Sequence, residues 1–396
     1  MQKYLLFILS FIFSACSSTS NFDKGYLEKE VKDTVEVPFE MYRGLIILEV
    51  AFNGVSGNFL FDNGASYSCV NKDFADKAGI VFRSGSSIRD GNNNRTVVRQ
   101  SIAEDISITD IHFKKTGVYL IDTKKFFPCN EDIDGILGAS IINKINWLID
   151  FKRNILKISS QSFKNGGLPI KIGISSNNSS FMGFELNGFP VKAKIDFGYT
   201  GALKLRMKEY RQKFSGVPAL RVMGVSSLSV TGLGKSDTTY EFYEGIQMKK
   251  GETTLAYPPE VELTKNLKQQ ARIGMDFFKN YELVINSSER EYQLLPYEEA
   301  RDVETMKSYG VWIYEEKNMY KVIQVQPDVL GEKDIVLMDE IESVNGKSTD
   351  EFANYCVFKE FLKEIREKEE SLYLRIKGKE TEYELPYQDM KFSALP

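Results

Sequence analysis

Two aspartates stand in matching strings of this 396-residue chain. Asp62 lies in Phe61-Asp62-Asn63-Gly64-Ala65-Ser66, and Asp196 lies in Ile195-Asp196-Phe197-Gly198-Tyr199-Thr200. An apolar strand that ends in Asp and runs into a Gly turn presents a carboxylate at a loop tip, with backbone amides nearby. Two such carboxylates brought together cannot both ionise, so one keeps its proton. The pair can hold a water, deprotonate it with one member and protonate a carbonyl with the other. That chemistry suits the composition. His112 is the only histidine, so Ser-His-Asp or Cys-His catalysis requires it as the base, and multi-histidine metal sites are excluded. It sits in Asp110-Ile111-His112-Phe113, an alternating run in which it reads as a surface residue. No metal or cofactor is implied.

The flanks of the two aspartates repeat. Asn53-Gly54 precedes Asp62 as Asn187-Gly188 precedes Asp196, with nine positions from Asn to Asp in each case. Downstream, Ile136-Leu137-Gly138 precedes Ile149-Asp150, and Arg272-Ile273-Gly274 precedes Ile285-Asn286, with twelve positions from Gly to the last residue. Two copies of one domain-sized unit therefore run over 38–160 and 168–297, too long for a solenoid repeat. Both are mostly strand. Gly44–Val50 and Gly57–Phe61 form a hairpin at Asn-Gly. Trp147–Phe151 pairs with Ile155–Ile158, and Tyr281–Ile285 with Tyr292–Leu295. Short helices are expected at Asn71–Ala78, capped by Asn71, and after Gly138 and Gly274.

These motifs resemble the retropepsin/pepsin family of aspartic proteases, in a bacterial lipoprotein form. Asp62-Asn63-Gly64-Ala65-Ser66 is similar to that family's Asp-Thr/Ser-Gly-Ala-Ser/Asp loop, and Ile136-Leu137-Gly138 to its apolar-apolar-Gly strand. The second loop and Arg272-Ile273-Gly274 match less closely. The resemblance implies a mainly β, two-lobed acid-protease fold within one chain. It implies an endopeptidase with Asp62 and Asp196 catalytic, supported by Gly138 and Gly274, and a peptide or protein substrate. Gly64 and Gly198 would shape the turns, and Ser66 and Thr200 would satisfy turn amides. Hairpins over Ile88–Gln100 and Met223–Gly234 would be flaps, or ordinary surface hairpins.

Two departures bear on activity. Family members carry Thr or Ser after each Asp, and the hydroxyls lock the loops together. Here the positions are Asn63 and Phe197, so a weakened interlobe lock is expected. Tyr199 stands where a small residue would leave room and is expected to narrow a subsite. The alternative function is a catalytically impaired relative that binds peptides or a protein partner. Asp196-Phe197-Gly198 also spells a kinase triplet, but no Gly-rich nucleotide loop or His-Arg-Asp accompanies it.

Residues 1–16 read as a secretory signal. Phe13-Ser14-Ala15-Cys16 resembles a lipobox, which implies lipidation at Cys16 and a membrane-anchored, extracytoplasmic protein; an ordinary signal peptide is the alternative. Residues 17–37 are polar and read as a tether. Lys plus Arg number 51 against 55 Asp plus Glu, a net charge of −4, so no nucleic-acid partner is indicated. Cys69 and Cys129 could pair and leave Cys356 over, or all three could be free thiols; spacing does not choose.

From about Ser308 the pattern changes. Strand-like runs at Tyr309–Ile313 and Tyr320–Val325, the Ile341–Gly346 run into an Asn-Gly turn, a helical stretch at Phe358–Glu369 and a closing hairpin resemble a bacterial PDZ domain over 308–390. The resemblance implies a small α+β module that adds a peptide strand to an edge. Tyr309, Gly310, Val311 and Trp312 would form the loop holding a C-terminal carboxylate. A packing module that binds no peptide is the alternative.

Overall fold

The computed structural model describes residues 22, 25–89, 95–125, 127–129, 132–225, 228–229, 232–233, 238–255, 260–265, 267–298 and 307–390. Cys16 and the signal run, and the tips of both flap candidates (90–94, 230–231), lie outside the described residues.

An Asn-Gly pair turns the Asp-bearing hairpin of each lobe. Asn53 and Gly54 take φ of 49° and 81°, and Asn187 and Gly188 take 43° and 84°. Two successive left-handed residues match the twist of the flanking strands, and Asn and Gly tolerate that conformation best. The hairpins Leu45–Phe52 with Val55–Asp62, and Ser180–Leu186 with Phe189–Ile195, follow. The repeat extends to the backbone contacts of the turns. Asn53 N–H donates to Asp105 C=O, and Asn187 N–H to Gln247 C=O.

Each Asp-bearing strand then pairs in parallel with the strand that ends in the supporting Gly. Val55–Asp62 runs beside Ile133–Gly138 with Gly138 opposite Asp62. Phe189–Ile195 runs beside Ala271–Ile273 with Ile195 opposite Ile273, and Asp196 N–H donates to Ile273 C=O at 3.0 Å. A short helix follows each Gly, Ala139–Ile142 and Met275–Phe278. Asn71 caps Lys72–Lys77 by accepting from Phe74 N–H at 2.8 Å.

The lobes share one sheet. Its order is Val35–Pro38, Ile155–Ser159, Asn146–Asp150, Tyr281–Asn286, Glu291–Pro296 and Leu168–Ile174, all antiparallel. The central pairing sets Trp147, Leu148 and Ile149 against Ile285, Val284 and Leu283. A single apolar core runs through both lobes, with Trp147 buried at its middle and its indole N–H donating to Ile142 C=O at 2.8 Å.

The tether reading of 17–37 needs correcting at its C-terminal part. Tyr26–Leu27 pairs with Phe113 and Lys114, and Val35–Pro38 is the outer strand of the shared sheet. The buried ring of Phe22 packs on Tyr67 and Tyr119, with centroids 4.9 and 5.0 Å away. Apolar Val35 and Val37 flank charged Glu36, which is a strand pattern within a segment whose average is polar.

The C-terminal segment has its own core around Phe358, Val344 and Leu374. Val311–Glu316 and Met319–Val325 form a hairpin, Ile341–Val344 joins Leu372–Ile376 and Glu382–Leu385, and Asn354 caps the helix Tyr355–Glu367. The module touches both lobes. Met319–Val325 continues a lobe 2 sheet through Val325 opposite Met223 and Gln324 opposite Gly224. Cys356, in the first turn of the helix, forms a disulfide with Cys129 of lobe 1, with Cα atoms 5.3 Å apart.

Pairing of Cys129 with Cys69 is therefore excluded by the fold. Cys69 is buried in Ser68–Val70, between Gly135–Ile136 and Val118–Leu120, while Cys129 lies on the loop before Ile133. Proteolysis without reductant should leave a peptide containing Cys129 joined to one containing Cys356, and a Cys69 peptide alkylated after denaturation. Mass mapping that finds a Cys69–Cys129 peptide contradicts this connectivity.

Candidate active site

The two repeated loops meet where the lobes meet. Asp62 Oδ1 accepts from Gly64 N–H of its own loop at 2.7 Å and from Gly198 N–H of the other loop at 2.9 Å. Side chains at the glycines would not fit. A Cβ on Gly64 would lie 2.0 Å from Asp196 Oδ1, and one on Gly198 would lie 2.5 Å from the Asp62 carboxyl carbon. Each glycine is thus covered by the carboxylate of the opposite lobe, which brings Asp62 and Asp196 face to face.

Asn63 and Phe197 replace the expected lock rather than weakening it. Asn63 Oδ1 accepts from Phe197 N–H at 3.0 Å, and its Nδ2 donates to Tyr292 Oη at 3.1 Å. One fully buried amide therefore makes two bonds across the lobes. Phe197 needs no polar side-chain atom there. Its ring stacks on Phe61 of lobe 1 at 6.0 Å and meets Phe278 edge-on at 5.2 Å.

Tyr199 does not narrow the space between the aspartates. Its ring folds back within lobe 2, where a Cβ on Gly274 or Gly201 would strike it. Its hydroxyl donates to Glu262 Oε2 at 3.2 Å. Met275 N–H donates to Tyr199 C=O, and Ala139 N–H to Ala65 C=O, so each loop rests on the helix after its supporting Gly. Ser66 takes part through its C=O, which accepts from Ser140 N–H; the side chain bonded to Gly138 N–H is that of Ser68, at 3.1 Å. Thr200 is exposed.

The residues that composition and motif reading missed are charged ones on lobe 2 strands. Arg272 Nε forms an ion pair with Asp196 Oδ2 at 3.1 Å. Lys194 Nζ donates across the lobe boundary to Gly64 C=O at 2.5 Å. Lys204 pairs with Glu262 at 2.9 Å, both buried. Lys194 and Lys204 alternate with apolar residues along their strands, and only the three-dimensional register shows that they are buried beside Asp196.

These surroundings set the protonation of the site. Burial, then the facing Asp196 charge, pushes the Asp62 carboxyl up to about 7, against the opposing pull of Lys194 and the Gly64 and Gly198 amides. Burial pushes the Lys194 ammonium down. His112 is remote from this chemistry, with Nδ1 2.9 Å from Asp105 on an outer strand pair of lobe 1.

Residues 48–141 match the family model described as aspartyl protease. The match includes Asp62 and Gly138 and ends before the second lobe. Among solved structures, a retropepsin-like aspartic protease from Rickettsia conorii is 18% identical, over 33% of this chain and 94% of that one, with a TM-score of 0.24. An aspartic proteinase from Irpex lacteus is 10% identical, over 67% of this chain and 98% of that one, with a TM-score of 0.45. No curated protein matches the chain.

In the C-terminal module, Gly310 takes φ of 81° and its N–H donates to Ser308 Oγ, while its C=O accepts from Gln326 N–H. Tyr309 Oη donates to Glu370 C=O. Val311 and Trp312 open the strand Val311–Glu316, whose one pairing among the described residues is with Met319–Val325. Tyr355 of the long helix packs on Tyr314 of that strand at 4.7 Å.

Asn63→Leu removes both bonds of the Asn63 amide, strands the buried Phe197 N–H and takes one partner from the buried Tyr292 hydroxyl. It should cost about 2–4 kcal/mol in urea unfolding; a loss below about 0.5 kcal/mol shows that the amide is not the lock. Asp62 also gives stability a pH signature. A carboxyl raised from an unfolded value of about 4 to about 7 contributes stability fully present below about pH 4 and lost as pH rises through about 7. Asp62→Asn removes that loss, so its stability relative to wild type should climb across this window. Glu260, also raised to about 7 by burial, is present in both proteins and cancels.

Proposed function

We propose that this chain is an aspartic endopeptidase, with Asp62 and Asp196 as its catalytic pair, held outside the cytoplasm by a lipid on Cys16. The observation that carries the reading is the cross-lobe approach. Gly198 N–H binds the Asp62 carboxylate, and each loop glycine lies too close to the opposite carboxylate for a side chain. A binding protein with no chemistry has no need to bury two carboxylates against each other, because their repulsion and desolvation cost stability.

The reaction balances on these groups alone. One member of the pair, ionised, takes a proton from water as the water oxygen bonds to the peptide carbonyl carbon. The other, protonated, gives its proton to the carbonyl oxygen, producing a gem-diol. Collapse of that intermediate breaks the C–N bond as the nitrogen takes the proton now held by the first member and a gem-diol hydroxyl gives its proton to the other, which restores the protonation state. Asn63 and the Phe61–Phe197 stack keep the loops in register throughout.

The C-terminal module supports a PDZ-like role on one ground. Val311–Glu316 has an edge without a strand partner among the described residues, flanked by the helix Tyr355–Glu367. An extended peptide can add there, with Tyr309, Gly310, Val311 and Trp312 at its terminus.

The chain from Ser17 onward should cleave a mixed peptide library, with activity holding up to near neutral pH and falling above about 7 as Asp62 loses its proton. Asp62→Asn and Asp196→Asn should each lower kcat/KM by at least ~100-fold. Equal cleavage by wild type and both variants, or none by any, would favour the binding protein over the protease.

A further inference from the structure

The pseudo-twofold relation between the lobes breaks at one row of side chains. In lobe 2, Lys194 lies opposite Arg272, Arg272 opposite Lys204, and Lys204 opposite Glu262, across four neighbouring strands. Residues directly opposite one another share a face of a sheet. In lobe 1 the corresponding row is Leu60, Ile136, Cys69 and Tyr119, paired in the same order. Four neutral side chains on one side of the dyad thus match three cations and one anion on the other. Lys194, Arg272, Lys204 and Glu262 are all buried. Burying charge is expensive unless each group has a partner, and the partners here converge on the dyad. Arg272 reaches Asp196 at 3.1 Å, Lys194 reaches the Gly64 carbonyl at 2.5 Å, and Glu262 balances Lys204 at 2.9 Å.

Resting on the protease reading above, we propose that Arg272 and Lys194 are positioning residues that make the dyad permanently asymmetric. Arg272 keeps the negative charge on Asp196, which therefore takes the proton from water, and the shared proton stays on Asp62, which gives it to the substrate carbonyl. In a symmetric pair either carboxyl can hold the proton, and each substrate orientation must wait for the right form. Here the fold chooses. Among the described residues, Asp62 faces no cation of its own lobe; its near neighbours are the buried Cys69 thiol, the Gly64 and Gly198 amides, Asp196 and, from lobe 2, Lys194. Asp196 has Arg272, with Lys194 and Lys204 behind it and Tyr199 and Glu262 beyond. Lys268 acts on Lys194. Lys194 has a second, separable effect. It opposes the burial that raises Asp62, and so limits how far toward alkaline pH the proton is held.

The test is carboxyl 13C NMR of aspartate-labelled full chain near pH 5.5, below the Asp62 transition, with Asp62→Asn and Asp196→Asn assigning the two signals. In wild type the Asp62 carboxyl carbon should stand at the protonated position and that of Asp196 at the ionised one. In Arg272→Met the two should move toward each other, and in Arg272→Lys they should separate again, which also shows that the effect is charge and not misfolding. In Lys194→Met the alkaline limb of kcat/KM should shift upward by roughly one pH unit. Equal wild-type shifts, or shifts unchanged in Arg272→Met, overturn the inference. The signals do not require turnover. A separated pair in a protein that cleaves nothing would retire the protease reading and leave the asymmetry standing.

Discussion

Everything at the centre of this molecule depends on backbone amides of one lobe meeting side chains of the other. Gly198 N–H on Asp62 and Phe197 N–H on Asn63 are the two bonds that define where the loops sit. The Phe197 amide is buried and that of Gly198 partly buried, so each bond is worth more than its net contribution in solvent would suggest. The parallel pairing of each Asp-bearing strand with its Gly-ended partner exists to bring those amides into range. The six-stranded sheet shared between lobes then fixes the distance from one loop to the other, through Trp147 opposite Ile285 and its neighbours.

Once the loops are fixed, electrostatics follows from burial. Two largely buried carboxylates face each other, and the cheapest charge state keeps one proton between them. The charged row of lobe 2 answers the cost of that arrangement with cations placed on adjacent strands. The C-terminal module adds a further restraint at the periphery. It is tied to lobe 1 by Cys129–Cys356 and to lobe 2 by strand pairing at Met223 and Gly224, so the two lobes are joined both through their core and around the outside.

Much of this was legible in the residues. The two Asp-x-Gly strings, the Asn-Gly turns nine residues before them and the Gly-ended strands after them state the duplication, because turn chemistry and close approach leave few residue choices. What was hidden depended on partners far apart in the chain. Asn63 looked like a poor substitute for a hydroxyl until Tyr292 supplied its second bond, 229 residues away. Tyr199 looked obstructive because its direction depends on the space left by Gly201 and Gly274. The roles of Arg272 and Lys194 were not legible, since alternation along a strand cannot reveal that the face carrying them is covered. Cys356 is 227 residues from Cys129, and no spacing rule reaches that far. The segment 25–37 is polar on average, and each of its two strands pairs with a partner more than eighty residues away.

The central claim is that Asp62 and Asp196 together hold the tetrahedral intermediate of peptide hydrolysis. The most direct measurement is a crystal structure with a peptide in which the scissile amide is replaced by a secondary alcohol. The account predicts the hydroxyl between the two loops, within hydrogen-bond reach of both carboxylates, with Arg272 still on Asp196. A peptide seated elsewhere, or a hydroxyl that touches neither carboxylate, would contradict it.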